Sequence, residues 1–133
     1  MRNSKKILAL ALGAVMTVSI CGCSSSGSST KASSKAISAG IRALELADSY
    51  LDNKARYSKI SDELDSLSDS LSYADPSVDD SPQTKADFSI QLAILSIDTK
   101  IMLDDMDSTA KTYEDVLKAR NNLAEEIGEK TRE

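Results

Sequence analysis

The chain has 133 residues, which is enough for one small domain. With two prolines, five glycines, no tryptophan and five aromatic residues in total, its composition favours long helices over sheets and turn-rich folds. The net charge is −5, and it becomes −8 for the chain from Cys23, because residues 1–22 carry three basic residues and no acid; such an acidic chain repels nucleic acid, which is therefore not expected as a partner.

A short basic segment followed by an apolar stretch opens the chain. Residues 1–6 contain Arg2, Lys5 and Lys6, and Ile7 to Ile20 are fourteen residues without a charge. This is the layout of a secretory signal peptide. A transmembrane anchor that is never cut is the alternative, but it needs about 20 apolar residues.

The end of this stretch carries the most specific motif. Ile20-Cys21-Gly22-Cys23 resembles the lipobox of bacterial lipoproteins, although Cys21 stands where Ala, Ser or Thr is commoner. The resemblance implies that a signal peptidase cuts between Gly22 and Cys23, and that the Cys23 sulfur carries a diacylglyceryl group. Cys21 is the competing lipidation site, but Ile20 before it is too large for the small-residue position.

Lipidation of Cys23 implies that the protein is bound to a membrane, and it implies where in the cell the protein lies. Two acyl chains hold a protein firmly on a membrane, so the membrane is the expected partner through Cys23, on the extracytoplasmic face of the cell membrane. The composition and the Cys-Gly-Cys-Ser-Ser-Ser junction are similar to lipoproteins of Gram-positive bacteria, which predicts a cell-surface location. The mature chain would then have no free thiol and no disulfide.

A serine-rich segment follows the lipidated cysteine. Residues 24–34 contain seven serines and no apolar residue larger than alanine, so nothing drives their collapse. Residues 23–35 are therefore predicted to be a flexible linker, whose reach is roughly 20 Å.

Residues 36–133 are predicted to form an all-α domain. Both prolines lie in the loop 75–82, where Ser81-Pro82 is typical of a helix start, and Gly128 suits a helix end. One helix is expected over about 36–74 and a second over about 83–128. Two apolar stripes at helical spacing would join them as a long antiparallel hairpin: Tyr57, Ile60, Leu64, Leu67 and Leu71 in the first helix, and Phe88, Leu92, Leu95, Met102, Met106, Ala110, Tyr113, Leu117 and Ala124 in the second.

Two features do not fit a simple hairpin. The second helix carries another apolar stripe on its opposite face, formed by Ile90, Ile94, Ile97 and Ile101. The apolar face of the first helix also changes direction between Leu51 and Ile60. Either the first helix breaks near Asp52-Asn53, so that residues 36–51 turn back and cover the isoleucines in a three-helix bundle, or both helices stay straight and the isoleucines form an interface with another chain. Because no Gly or Pro marks a break, the unbroken hairpin is favoured.

The sequence offers no catalytic or metal site. Histidine is absent, and an EF-hand begun at Asp105 would have Ala110 and Val116 where Gly and Glu are required. No serine has an obvious base, and there is no glycine-rich phosphate loop. No enzyme activity, metal or cofactor is therefore expected.

The leading functional hypothesis is a non-catalytic lipoprotein whose helical domain acts by self-association or by binding another envelope protein. A small-ligand or ion carrier, with its ligand beneath the isoleucine face, is the second hypothesis. An exclusion or immunity lipoprotein of a mobile element is the third.

Overall fold

The computed structural model describes residues 31–133, which form one compact unit. The predicted signal peptide, the Gly22–Cys23 junction and most of the predicted linker lie outside the described residues. The described part consists of four α-helices without a strand, which confirms the all-α class. Their bounds are Ser34–Leu51 for α1, Tyr57–Asp69 for α2, Pro82–Met106 for α3 and Ala110–Ile127 for α4.

Three of the four helices begin at a polar side chain that accepts a backbone hydrogen bond. Ser33 accepts from Ala36 at the start of α1, and Ser81 accepts from Thr84 at the start of α3, each at 3.2 Å. Thr109 forms a capping box at the start of α4. These caps satisfy amide groups that have no partner inside the helix. The predicted helix start at Ser81-Pro82 is confirmed.

The first long helix of the sequence prediction is interrupted after Leu51. Asn53 adopts a left-handed conformation with φ of 56°, and the amides of Lys54 and Ala55 both donate to the Ser49 carbonyl. Asparagine tolerates this conformation better than most residues, so the chain turns without the glycine or proline that sequence reasoning required. The preference for an unbroken helix is therefore wrong, and the break near Asp52-Asn53 is present.

The second long helix is also interrupted, at a place that sequence reasoning missed. α3 ends at Met106 and α4 begins at Ala110. Between them, Thr109 and Thr112 exchange side-chain and backbone hydrogen bonds that start a new helix. Residues 31–133 thus form four helices, where the hairpin prediction had two and its alternative had three.

The helices alternate in direction. Ser33, just before α1, donates to Asp87 near the start of α3, and Tyr50 near the end of α1 donates to Asp104 near the end of α3. α1 and α3 therefore run the same way, while α2 and α4 return. α1 and α3 contact each other and both remaining helices, whereas α2 and α4 do not contact each other.

The core is built on the isoleucine stripe of α3. Ile90, Ile94, Ile97 and Ile101 have no exposed surface at all, and they are surrounded by buried residues of the other three helices. Prediction of these isoleucines as an interface with another chain is therefore wrong, because α1, α2 and α4 of the same chain already cover them.

Small residues let α1 approach its neighbours closely. α1 buries alanines and one glycine along its inner face. A Cβ atom added to Gly40 would lie 3.2 Å from the Ile127 Cδ1 atom at the end of α4. The absence of a side chain at position 40 thus allows α1 and α4 to pack against each other.

Candidate functional site

The face of α3 opposite the isoleucines is apolar and uncovered in the part of the chain that the structure describes. Its best exposed members are Leu92, Leu95, Leu103 and Met106, with exposed fractions of 49, 40, 44 and 75%. Sequence reasoning expected this stripe to be the seam of the hairpin, so the structure reverses the roles of the two stripes. We call this surface the outer face of α3, and its residues are Phe88, Leu92, Leu95, Thr99, Met102, Leu103 and Met106.

The outer face is long, and its two ends differ in charge. From Phe88 to Met106 it extends about 27 Å along the helix. None of its residues is ionisable. Lys85 lies before the face and pairs with Asp80 at 2.6 Å, in a contact that is largely exposed. Asp107 lies after the face, is exposed, and forms no ion pair among the described residues.

Six of the seven residues of the outer face are placed symmetrically along the helix; Leu103 is the exception, because the position equivalent to it is Gln91. Phe88 and Met106 each lie nine positions from residue 97. Leu92 and Met102 each lie five positions from it, and Leu95 and Thr99 each lie two positions from it. A two-fold axis through this point would place the face of one copy on the same face of another, running in the opposite direction.

A cleft of about 620 Å³ lies at the end of the molecule where α1 passes to α2 and α3 passes to α4. This volume is within the range of roughly 300–1,000 Å³ that ligand sites span. The residues that line it are Tyr50, Asn53, Lys54, Ala55, Arg56, Asp104, Asp105, Ser108 and Tyr113.

A buried carboxylate fixes one wall of this cleft. Asp104 is only 4% exposed. Its oxygens accept hydrogen bonds from the Tyr50 hydroxyl at 2.8 Å, the Thr112 hydroxyl at 2.6 Å and the Ser108 hydroxyl at 3.3 Å. Burial of Tyr50, together with its bond to Asp104, raises the pKa of the phenol. The Tyr50 ring is thus held neutral and oriented beside the cleft.

A second carboxylate, outside the cleft, is less well satisfied. One carboxylate oxygen of Asp98, Oδ1, is buried and has no hydrogen-bond partner. Burial raises the pKa of Asp98. The neighbouring Tyr57 has a pKa raised to about 12 by its own burial and by the negative charge of Asp98.

The described residues contain no group of three or more His, Cys, Asp or Glu side chains that could hold a metal ion. Within residues 31–133, no helix is both long enough and apolar enough to cross a membrane.

The cleft could not be found from the sequence. Its basic residues, Lys54 and Arg56, belong to a turn that sequence reasoning treated as helix. Its acidic residues are Asp104 and Asp105, and Asp105 lies 49 positions after Arg56. Only the two helix breaks bring them together. Gly22 and Cys23, the predicted cleavage and lipidation residues, lie outside the described residues.

Compared with known proteins, the chain matches no protein-family model, no curated protein and no solved structure.

Proposed function

We propose that this protein is a non-catalytic lipoprotein, held on the extracytoplasmic face of the cell membrane by lipid on Cys23. Its helical domain acts by self-association through the outer face of α3. The Ile20-Cys21-Gly22-Cys23 motif supports the anchor. The exposed Leu and Met side chains on α3 support the association, because a contiguous apolar surface is characteristic of an interaction site.

The finer architecture in this proposal is a four-helix bundle with its isoleucines inside and the outer face of α3 as an intermolecular seam. The hairpin with an isoleucine interface is replaced, since the isoleucines are fully buried. The same burial argues against a ligand held beneath the isoleucine face.

A second copy of the chain is the proposed occupant of the outer face. When two α3 helices pair antiparallel about residue 97, Phe88 meets Met106 and Leu92 meets Met102 of the other copy. The same pairing brings Lys85 of one copy near Asp107 of the other. A different envelope protein would explain the exposed surface equally well but not its internal symmetry.

The interface is expected to be weak in solution. A single helix face about 27 Å long falls at the small end of specific interfaces, near roughly 1,000 Å² in total. An affinity in the micromolar range follows. Anchoring of both copies to one membrane would raise their effective concentration, and association would then need no further contacts.

Sedimentation of residues 31–133 tests the association. The parent is expected to reach a monomer–dimer equilibrium in the micromolar range. Leu92→Glu should weaken it at least about tenfold, because a charge replaces the apolar contact with Met102 in the seam. Val78→Glu is the control, since Val78 is 83% exposed but lies in the loop before α3. A parent that stays monomeric at high micromolar concentration, with its fold intact, contradicts the proposal.

A charge exchange tests the antiparallel direction. Lys85→Asp and Asp107→Lys should each weaken the dimer about threefold, because each places like charges together. The double variant should restore the affinity of the parent. Additive losses in the double variant would exclude this pairing, and an unidentified partner protein would then be the better explanation of the face.

Mass spectrometry of the membrane-extracted protein tests the anchor. The expected N-terminal residue is Cys23 bearing a diacylglyceryl group. Cys23→Ser should leave the signal peptide uncut and the protein without lipid, whereas Cys21→Ser should change neither. An unmodified Cys23, or lipid on Cys21, would contradict the anchor while leaving the test of association unaffected.

A further inference from the structure

The cleft at the end of the molecule holds opposite charges apart. Arg56 and Lys54 belong to the wall formed by the α1–α2 turn, and Asp105 belongs to the wall formed by α3. Arg56 and Asp105 form no ion pair among residues 31–133, and Lys54 has only an exposed contact of 3.8 Å with Asp52. Charges that the protein leaves without close partners on two walls of one cleft are available to a ligand.

Two tyrosines contribute aromatic surface to the same cleft. Tyr50 is fixed by its hydrogen bond to the buried Asp104, and Tyr113 is 41% exposed. Rings of this kind offer an apolar face and a polar hydroxyl, and they also attract an ammonium group. The backbone turn at Asn53 is held by its own hydrogen bonds, so the basic wall is preformed.

The charge pattern selects the class of ligand. A ligand with only negative groups would be repelled by Asp105, and one with only positive groups would be repelled by Lys54 and Arg56. A zwitterion with separated ends satisfies both walls. At about 30 Å³ per water-sized atom, the volume accommodates roughly twenty non-hydrogen atoms, which matches a peptide of a few small residues.

We infer that this cleft binds a short zwitterionic peptide. Its terminal carboxylate pairs with Arg56 and Lys54, its terminal ammonium pairs with Asp105, and its middle lies against Tyr50 and Tyr113. The inference goes beyond the proposed self-association and does not use the outer face of α3.

The inference is tested by titrating isotope-labelled residues 31–133 with tetra-alanine. The NMR chemical shifts of the backbone amides are followed during the titration. This fragment is one compact unit and contains the buried core described above. Amides of residues 53–56, of Asp105 and of Ser108 are expected to shift, with a dissociation constant at or below about 1 mM. Acetylation of the peptide amine or amidation of its carboxylate should each weaken binding about fivefold, because each removes the charge at one end of the peptide.

Matched substitutions assign each end of the peptide. Arg56→Gln should weaken tetra-alanine about fivefold and should reduce, through loss of one of the two cations, the difference in affinity between the free and the amidated carboxylate. Asp105→Asn should also weaken tetra-alanine about fivefold, and this variant should bind the peptides with a free and with an acetylated amine equally well. Lys59→Gln and Asp62→Asn are the controls, because both residues are exposed on α2 and do not line the cleft.

Three results would overturn the inference. They are an absence of shifts at these amides with tetra-alanine at about 10 mM, shifts confined to another surface, and equal affinity for the blocked and free peptides. The amide spectrum also reports whether each variant is folded. Because sedimentation measures a different surface, failure of the cleft to bind peptide leaves the test of self-association intact.

Discussion

Asp87 shows how a single buried side chain fixes one end of the molecule. It is 1% exposed and accepts hydrogen bonds from the Ser33 amide, the Ser33 hydroxyl and the Tyr73 hydroxyl, each at 2.7 Å. Ser33 in turn caps α1. Asp87 therefore connects the start of α1 to α3 and to the segment after α2. α1 accordingly begins at Ser34, which lies inside residues 23–35, the segment predicted from the sequence to be a linker.

Asp98 is a carboxylate whose surroundings oppose its charge. Asp98→Asn is expected to stabilise the domain by about 1 kcal/mol at neutral pH, because it removes a poorly solvated charge. Burial raises the pKa of Asp98 in the folded state, so the folded state binds this proton more tightly than the unfolded state does. The advantage of the variant should therefore shrink as pH falls through the pKa of Asp98. Urea unfolding of the parent and the variant between pH 7 and pH 4 measures it, and a less stable variant at pH 7 would contradict the argument.

Tyr57 predicts how the stability of the domain changes at high pH. Its pKa is raised from 10.0 to about 12, so the folded state favours the neutral phenol. Its contribution to stability is complete below pH 10 and is lost as pH rises toward 12. The urea midpoint of the parent should fall steeply over this interval, and Tyr57→Phe should reduce that fall. Equal slopes in the two proteins would show that Tyr57 ionises as it does in water.

At the scale of the helices, Asn53 decides where α1 ends. Asn53→Val is expected to cost about 1–2 kcal/mol, because a β-branched residue is strained at φ of 56°. Asn53→Gly should preserve stability, and Lys54→Val is the control, since the described residues have Asn53 as their one non-glycine residue of positive φ. The urea midpoint measures the effect. If Asn53→Val proved as stable as the Lys54→Val control, the turn would not be held at this residue.

The sequence predicted helix content better than helix continuity. Local features such as Ser81-Pro82 and Gly128 act within one turn of chain, and both helix boundaries are where the residues indicated. The breaks at Asn53 and Thr109 depend on tolerated conformations and reciprocal side-chain bonds, which leave little mark on composition. α3 is apolar on two faces, so periodicity alone could not tell which face enters the core.

At the scale of the whole molecule, ion pairs connect α4 and the C-terminal segment to α1. Arg120 is 8% exposed and binds both oxygens of Asp48 at 2.9 and 3.0 Å. Arg132 adds contacts to Asp48 at 3.0 Å and to Asp52 at 2.8 Å, and the latter contact holds the pKa of Asp52 below its usual value. The last residues therefore pack back along α1 toward the end that carries the cleft.

The two candidate surfaces occupy different parts of the fold. The cleft lies at the end of α1, about 27 Å along that helix from the residues where the described chain begins. The outer face of α3 extends along the side of the domain. One chain could therefore pair with a second copy and hold a small ligand through separate residues.

Cross-linking at the outer face of α3 tests the central claim most directly. The fragment 31–133 contains no cysteine, so Thr99→Cys, exposed in the middle of the face, introduces a single thiol. A short bifunctional maleimide is expected to join two copies of this variant efficiently and to join far fewer copies of Ser66→Cys, whose thiol is exposed on α2. Equal cross-linking of the two variants, or none in either, would contradict an interface between copies at this face.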